Sequence, residues 1–333
     1  MNRRKALAFL LLLGLAFGLP VGAARKGWFV ECAAGFAALD PGDLNARPEA
    51  QQQRLEFLYR DGYEALQRFS GGAFSYVLEE AQGSGLRGLH GGFPVALRIG
   101  RSLGARVSLF AGLEFLGRQR TSSLQQTYRV NDQRPDQVTP PGACVVDTGF
   151  PEYFLSARAW VPQLGVIVDL CRRRSWTGGV RLAAGPMFAA VRTLESQHYR
   201  KTDADGYWQE WQQVVDMKGS GAGVAGDAMA RLDLALSRRL GLQVEGGYAL
   251  RRSSGFFGPG SYEYQYRDMN AARDPVRNRW QGEWRTRRIE LQREWGRLGY
   301  TLSGNDLGGY ADTGGFCLDL SGWRLAVGLA LAL

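Results

Sequence analysis

The last thirteen residues alternate between large apolar side chains and small or polar ones, which is the pattern of a β-strand with one apolar face. The large apolar positions are Trp323, Leu325, Val327, Leu329, Leu331 and Leu333. The positions between them are Gly322, Arg324, Ala326, Gly328, Ala330 and Ala332. A strand that crosses a membrane needs about 9–11 residues of such alternation. This stretch therefore predicts a strand long enough to cross one.

The same alternation predicts seven earlier strands. They are Trp28–Leu39, Phe93–Gly100, Ala105–Leu116, Tyr153–Leu170, Trp176–Val191, Asp227–Ser237 and Leu240–Leu250. Short turns at 101–104, 171–175 and 238–239 join six of them into three hairpins. Long polar inserts fill the other connections: the one after the first strand, then Gly117–Glu152, Arg192–Ser220 and Arg251–Gly315. Within the first insert, a 3.6-residue apolar period over Pro48–Phe69 predicts a helix, which we interpret as part of an external loop.

The residues Gly328–Leu333 end the chain as glycine-x-x-apolar-x-apolar, which resembles the assembly signal of bacterial outer-membrane β-barrels. Leu333 stands where that family usually has an aromatic residue. The resemblance is to the small barrels of the OmpA, OmpX and opacity-protein type. It implies an all-β fold, an eight-stranded antiparallel transmembrane β-barrel with long external loops and short periplasmic turns. Ten strands stay open as an alternative, because Gly72–Leu78 or Ile289–Leu302 could add to the sheet.

The first 24 residues have the pattern of a secretory signal peptide. Arg3, Arg4 and Lys5 precede an apolar stretch, and Gly22-Ala23-Ala24 supplies the small residues of a cleavage site. We expect residues 1–24 to be removed and residues 25–333 to form one barrel domain in the bacterial cell outer membrane. Its expected partners are outer-membrane lipid, lipopolysaccharide and the barrel-assembly machinery, and a net charge of +9 suits lipopolysaccharide phosphates. Because the export signal separates the chain from nucleic acid, we expect no nucleic-acid partner.

The second face of the predicted strands carries charge. The positions predicted to face the lumen are Glu31, Arg98, Arg106, Glu114, Asp169, Arg181, Arg231, Asp233, Glu245 and Arg324. An eight-stranded barrel is only wide enough for side chains to fill it, and an unpaired ion in such an interior costs several kcal/mol. We therefore predict a network of salt bridges that fills the lumen. A narrow water-filled conduit remains an alternative.

The predicted loops are rich in arginine and tryptophan. The stretch 267–297 holds nine arginines and five carboxylates, a composition that can bind phosphate or sugar groups. The residues predicted for an external contact surface are Trp208, Trp211, Trp280, Trp284, Arg285, Arg287, Arg288 and Trp295. Cys144 and Cys317 both fall at the external end and are a candidate disulfide pair. The wide spacing of the four cysteines and the presence of only two histidines predict no metal site or other cofactor.

These features predict a non-enzymatic barrel with a structural or surface-contact role, whose external ligand is unknown. The first alternative is a narrow pore for small solutes, and the second is a lipid-modifying outer-membrane enzyme. The two histidines, His90 and His198, match neither the His-x-Ser pair of lipid A deacylases nor the acidic pairs of omptin-type proteases. We expect both to be ordinary surface residues.

Overall fold

The molecule is built around a ring of strands, seen in a computed structural model that describes residues 27–134, 142–173, 175–289 and 310–333. The strands are β1 (Trp28–Ala37), β2 (Phe74–Gly83), β3 (Phe93–Ser102), β4 (Val107–Asp132), β5 (Gly142–Arg172), β6 (Trp176–Asp203), β7 (Trp208–Ala235), β8 (Leu240–Asp268), β9 (Val276–Glu283), β10 (Arg285–Ile289), β11 (Tyr310–Gly315), β12 (Leu318–Asp319) and β13 (Gly322–Ala332). A helical segment between β1 and β2 consists of α1 (Asp43–Glu56), a π-helical turn (Phe57–Asp61) and α2 (Gly62–Phe69). The predicted signal peptide lies outside the described residues.

Eight strands pair side by side and close on themselves. β1 pairs with β3, the strands β3 to β8 pair in chain order, and β13 pairs with both β8 and β1. All these pairings are antiparallel, which confirms the predicted all-β antiparallel class. The short strands β2, β9 and β12 extend the same sheet to eleven strands, and β10 pairs with β11 in a separate small sheet. The C-terminal strand predicted from the sequence is thus β13, which closes the ring by pairing with both β1 and β8.

The strands are much longer than the sequence predicts. β5 has 31 residues, and β6 and β7 have 28 each. The predicted loop Arg192–Ser220 is therefore wrong: β6 runs to Asp203, a four-residue turn follows, and β7 begins at Trp208. The alternation of apolar and polar residues in the sequence ends at residue 191, because the outward-facing residues of β6 are mostly polar beyond that point. The backbone pairing between β6 and β7 nevertheless continues. The predicted break at Gly117–Glu152 is shortened for the same reason, since β4 extends to Asp132 and β5 begins at Gly142.

A belt of apolar side chains surrounds the outside of the ring. On β13, Trp323 and Leu325 are 70% and 59% exposed, while Arg324 between them is buried. The belt continues around the ring through Val95, Leu97, Ile99, Leu109, Leu113, Trp160, Leu164, Leu182, Phe188, Val224, Leu232, Tyr248 and Leu250, all of them exposed. Soluble monomers rarely expose contiguous apolar patches larger than a few hundred Å². A continuous belt of this kind is the surface that a lipid bilayer would cover.

The interior of the ring is filled in layers. A layer of paired charges is followed by an apolar layer that includes Ala157, Ala159, Met187, Ala189 and Phe256. The helical segment lies over this layer, with Leu44 and Leu55 fully buried against it. The helix lies in the long connection after β1, where the sequence places it, but this connection folds inward, so its apolar residues pack onto the inward-facing residues of the ring.

Candidate functional site

Arg231 lies at the centre of the buried charge layer. Its two terminal nitrogens are 2.6 Å and 3.0 Å from the carboxylate oxygens of Glu31, and Nη1 is 3.0 Å from Glu245. Its Nε lies 2.9 Å from an Asp233 oxygen, on the same strand. Arg98 meets Glu245 through two parallel contacts of 3.0 Å each. Such bidentate pairs are the strongest form of arginine–carboxylate contact.

The rest of the charge layer includes two residues that the sequence reading missed. Asp227 Oδ1 lies 2.6 Å from Arg251 Nη2, and Asp227 Oδ2 lies 3.2 Å from Arg181 Nη1. Glu114 accepts from Arg251 at 3.2 Å and also from Arg324. The sequence contains a signal for both missed residues. Asp227 is the first residue of the predicted strand Asp227–Ser237 and lies on the same side of its alternation as the inward-facing positions. Arg251 directly follows the predicted strand Leu240–Leu250. With them, this part of the described structure holds five carboxylates and five guanidinium groups.

Two residues of the predicted network lie elsewhere. Asp169 pairs with Arg172 at 2.8 Å, near the short β5–β6 turn, where Arg172 is partly exposed. Arg106 is exposed in the turn before β4. The structure therefore brings together eight of the ten predicted lumen residues and leaves these two at the rim of the ring.

The helical segment closes the other end of the interior. Arg47 forms an ion pair with buried Glu195 on β6, and Gln51 Nε2 donates to the same carboxylate at 3.1 Å. Farther along the segment, Tyr59 stacks on Tyr128 and Tyr199, with ring centroids 6.3 Å and 6.2 Å apart. These contacts hold the segment across the ring, above the apolar layer.

Burial affects the acidity of this tyrosine cluster. Burial, with the neighbouring Tyr76 as a smaller cause, raises the pKa of Tyr128 to about 12. Burial likewise raises the pKa of Tyr199 well above its usual value. The phenols stay neutral at ordinary pH, as the packing of their rings requires.

The predicted external contact surface is divided by the structure. Trp284 is buried inside the ring, where its ring lies 5.3 Å from Phe316. Trp211 points inward and stacks on Tyr199 at 5.6 Å, whereas Trp208 lies under Arg200 and Trp280 is exposed. Arg285, Arg287 and Arg288 lie on strand β10, and Trp295 falls outside the described residues. The expected surface of aromatic side chains does not form as one patch, because Trp284 is buried and Trp211, which is partly buried, points inward.

The candidate disulfide is not formed. Cys144 and Cys317 are free thiols, as are Cys32 and Cys171. Cys144 lies on β5 in the inner cluster with Phe74 and Val146, whereas Cys317 follows the small sheet, where its backbone N–H donates to Asp43. Placement at the same end of the molecule was too coarse a criterion for pairing them.

A different site lies on the outer face of the ring, above the apolar belt. His198 Nε2 is 3.0 Å from Glu210 Oε1 on the neighbouring strand. Tyr199 points inward, so its neighbour His198 points outward. A carboxylate only accepts hydrogen bonds, so the neutral imidazole carries its proton on Nε2 and its lone pair on Nδ1. Among the described residues, Nδ1 has no hydrogen-bond partner.

His198 forms one wall of a depression of about 250 Å³. Gly149 pairs in register with both Gln125 and His198, and its missing side chain leaves the space between them. A Cβ at Gly149 would lie 2.1 Å from the Leu124 carbonyl oxygen, so the position requires glycine. On another wall, Thr127 Oγ1 donates to Asp147 at 2.7 Å. We call this depression, lined by Gln125, Thr127, Asp147, Gly149 and His198, the outer pocket.

The outer pocket combines a carboxylate-bound imidazole with amide, hydroxyl and carboxylate groups, which are the groups needed for general acid–base chemistry on a polar substrate. In the described chain no three His, Cys, Asp or Glu side chains are grouped so as to hold a metal ion. Within the same residues, none of the helices has the length and apolarity needed to cross a membrane.

Comparison with known proteins adds a likeness among solved structures to this geometry. No family model matches the chain, and no curated protein matches it. Among solved structures, the chain is similar to the outer membrane protease OmpT from Escherichia coli, with 8% identity, a TM-score of 0.30, and coverage of 96% of this chain and all of that one. The predicted resemblance is thus supported only as an all-β protein with a neighbour among outer-membrane β-barrels, and not as a member of the OmpA or OmpX type.

The same comparison corrects the predicted function. We expected a non-enzymatic barrel with a structural or surface-contact role, but the solved structure found is that of a protease, which is an enzyme. The expectation rested on the two histidines matching neither of the outer-membrane enzyme motifs considered above. That criterion cannot detect side chains that separate strands bring together, as they bring His198 to Glu210.

Proposed function

We propose that this chain is an integral outer-membrane β-barrel that hydrolyses an ester in the polar headgroup of an outer-leaflet lipid. The membrane placement is supported by the apolar belt around a ring whose backbone groups pair strand to strand. A closed ring satisfies these groups internally, as the interior of a bilayer requires. The closing strand β13 is then the segment that the barrel-assembly machinery would recognise.

The outer pocket carries the proposal of an enzyme. In this mechanism His198 Nδ1 takes a proton from water, and the resulting hydroxide attacks the ester carbonyl. The imidazolium then returns the proton to the departing alkoxide. Glu210 orients the ring and stabilises its positive charge, in the role that a carboxylate plays behind many catalytic histidines. The amide of Gln125 is a donor for the carbonyl oxygen.

The height of the outer pocket supports the headgroup as substrate. His198 lies ten residues after Phe188 on β6, and Phe188 is an exposed member of the apolar belt. Ten residues span about 33 Å along a strand, and a tilt of about 45° reduces this to roughly 23 Å along the membrane normal. Acyl chains end well below that height. The polar sugars and substituents of a glycolipid reach it.

The test is the mass of lipopolysaccharide extracted from Gram-negative cells that express the protein. We expect wild-type protein to remove an ester-linked substituent from the headgroup. His198→Ala should lower the rate by about 10²–10⁴-fold, the usual contribution of a general base. His90→Ala is the matched control, because it removes the other histidine of the chain, which lies outside the outer pocket. Unchanged lipopolysaccharide with correctly folded wild-type protein, or full activity of His198→Ala, would refute the proposal.

A further inference from the structure

A second depression of about 540 Å³ lies on the outer face, directly above the apolar belt. Its rim carries Arg158 on β5, Arg192 on β6 and Lys218 on β7. Ala190, Ser156 and Ser220, whose side chains are small, also line it. We call this depression, whose lining includes these six residues and Phe257, the basic groove.

The cations of the basic groove are only partly neutralised. Arg192 forms a bidentate pair with Asp216, with Nε and Nη2 each 3.0 Å from a carboxylate oxygen, and Lys218 Nζ lies 3.7 Å from the same group. Arg158 is exposed and forms no ion pair with any described residue. Arg192 and Lys218 thus share the Asp216 carboxylate while Arg158 has no paired carboxylate among the residues described, so the groove keeps an excess of positive charge. Asp216 also fixes the direction in which the Arg192 guanidinium points.

The position of the basic groove indicates what fills it. Trp160 lies two residues after Arg158 on the outward face of β5, and Phe188 lies two residues before Ala190 on that of β6; each is 51% exposed in the belt. Apolar side chains also border the groove itself, since Phe257 is 50% exposed at its edge. A ligand with a phosphate and acyl chains would place the phosphate among the cations and its chains on the belt. A free anion would use only the first of these surfaces.

We propose that the basic groove binds the phosphate of an anionic glycolipid in the outer leaflet. This inference rests on the proposed membrane placement but does not require the outer pocket to be catalytic. Arginine and lysine bind phosphate through charge-assisted hydrogen bonds, which are about twice as strong as neutral ones. Bound there, the lipid would lie below the outer pocket on the same face of β6, with its headgroup directed toward His198.

The test measures binding of bisphosphorylated lipid A to the purified, refolded barrel by native mass spectrometry. We expect Arg158→Ala combined with Lys218→Ala to weaken binding by tenfold or more. Arg101→Ala combined with Arg239→Ala is the matched control, because it removes the same charge from exposed positions at the opposite end of the ring. Arg192 is not substituted, because its removal would take away the bidentate partner of Asp216 and change the geometry of the site as well as its charge. A heat-dependent shift in electrophoretic mobility verifies that each variant is folded.

The outcomes separate this inference from the proposed enzyme. Equal binding by the groove variant and the control would overturn the lipid site. Displacement of lipid A by millimolar inorganic phosphate would also overturn it, because the groove would then recognise a free anion. The binding measurement is repeated with His198→Ala to separate lipid binding at the basic groove from hydrolysis at the outer pocket. Lipid A binding that is unchanged in this variant supports the basic groove, whether or not hydrolysis is observed.

Discussion

Arg231 shows how an ion can be buried in this ring without an uncompensated charge. Its side chain is fully inaccessible, yet each of its nitrogens faces a carboxylate of Glu31, Asp233 or Glu245. Removing one partner of such a buried group typically costs about 3–5 kcal/mol, because the remaining charge stays unpaired. Alternation in the sequence was enough to predict that these residues face inward. The choice of partners was not predictable, since Arg231 and Glu31 are 200 positions apart.

Tyr128 makes the packing of the helical segment sensitive to alkaline pH. Its folded pKa of about 12 lies above the ordinary value of 10, so the native state holds the phenol proton more tightly than the unfolded state. Its contribution to stability is therefore complete below pH 10 and is lost as the pH rises from 10 toward 12. Tyr128→Phe keeps the aromatic side chain but removes the phenol hydroxyl. In a spectroscopic pH titration of the folded protein, we expect this variant to lose tyrosinate absorbance only at the high-pH end. The same titration profile in folded and urea-unfolded protein would contradict this assignment.

The closing strand is the element on which the ring depends. β13 pairs with β1 on one side and β8 on the other, so its loss would expose two long unpaired edges. Its alternation was read correctly from the sequence. The sequence did not reveal how closely the inward-facing backbone of β13 approaches side chains and carbonyl groups of β1 and β8. Those distances depend on the register in which β13 pairs with the two strands.

Gly328 is the position on β13 where this close approach can be tested by substitution. A Cβ at this position would lie 2.4 Å from Gln243 Nε2 and 2.5 Å from the Cys32 carbonyl oxygen. We expect Gly328→Val to destabilise ring closure by about 1–3 kcal/mol or more, as overpacking does in other cores. Leu329→Val is the control, because it changes an exposed neighbour on the outer face. The readout is the fraction of refolded protein with the mobility of the closed form. Equal yields for the two variants would show that the contact is not limiting.

At the scale of the whole molecule, three stacked layers decide whether solutes can pass. The charge layer, the apolar layer and the helical segment each occupy the interior of the ring. An eight-stranded ring leaves room for little besides side chains. We therefore expect the narrow pore considered from the sequence to be closed.

This closure predicts electrical silence. We expect refolded protein in a planar bilayer to show no stable ohmic steps. A variant in which residues 43–69 are replaced by a short flexible linker should also be silent, because the charge layer beneath still fills the ring. A known open barrel is the positive control. Steps in the variant alone would identify the helical segment as the only barrier, and steps in the wild type would contradict the filled interior.

The sequence by itself determined the elements whose signal is local. A period of two fixed which residues of β3 and β13 face outward, and a period of 3.6 located the helical segment, because both depend only on neighbours along the chain. Only the tertiary structure decided how far β6 and β7 run beyond the belt, since backbone pairing continues where the alternation fades. It also placed the helical segment inside the ring and brought His198 to Glu210 and Arg158 near Lys218. Those contacts depend on the register between strands, a quantity that no single stretch of sequence contains.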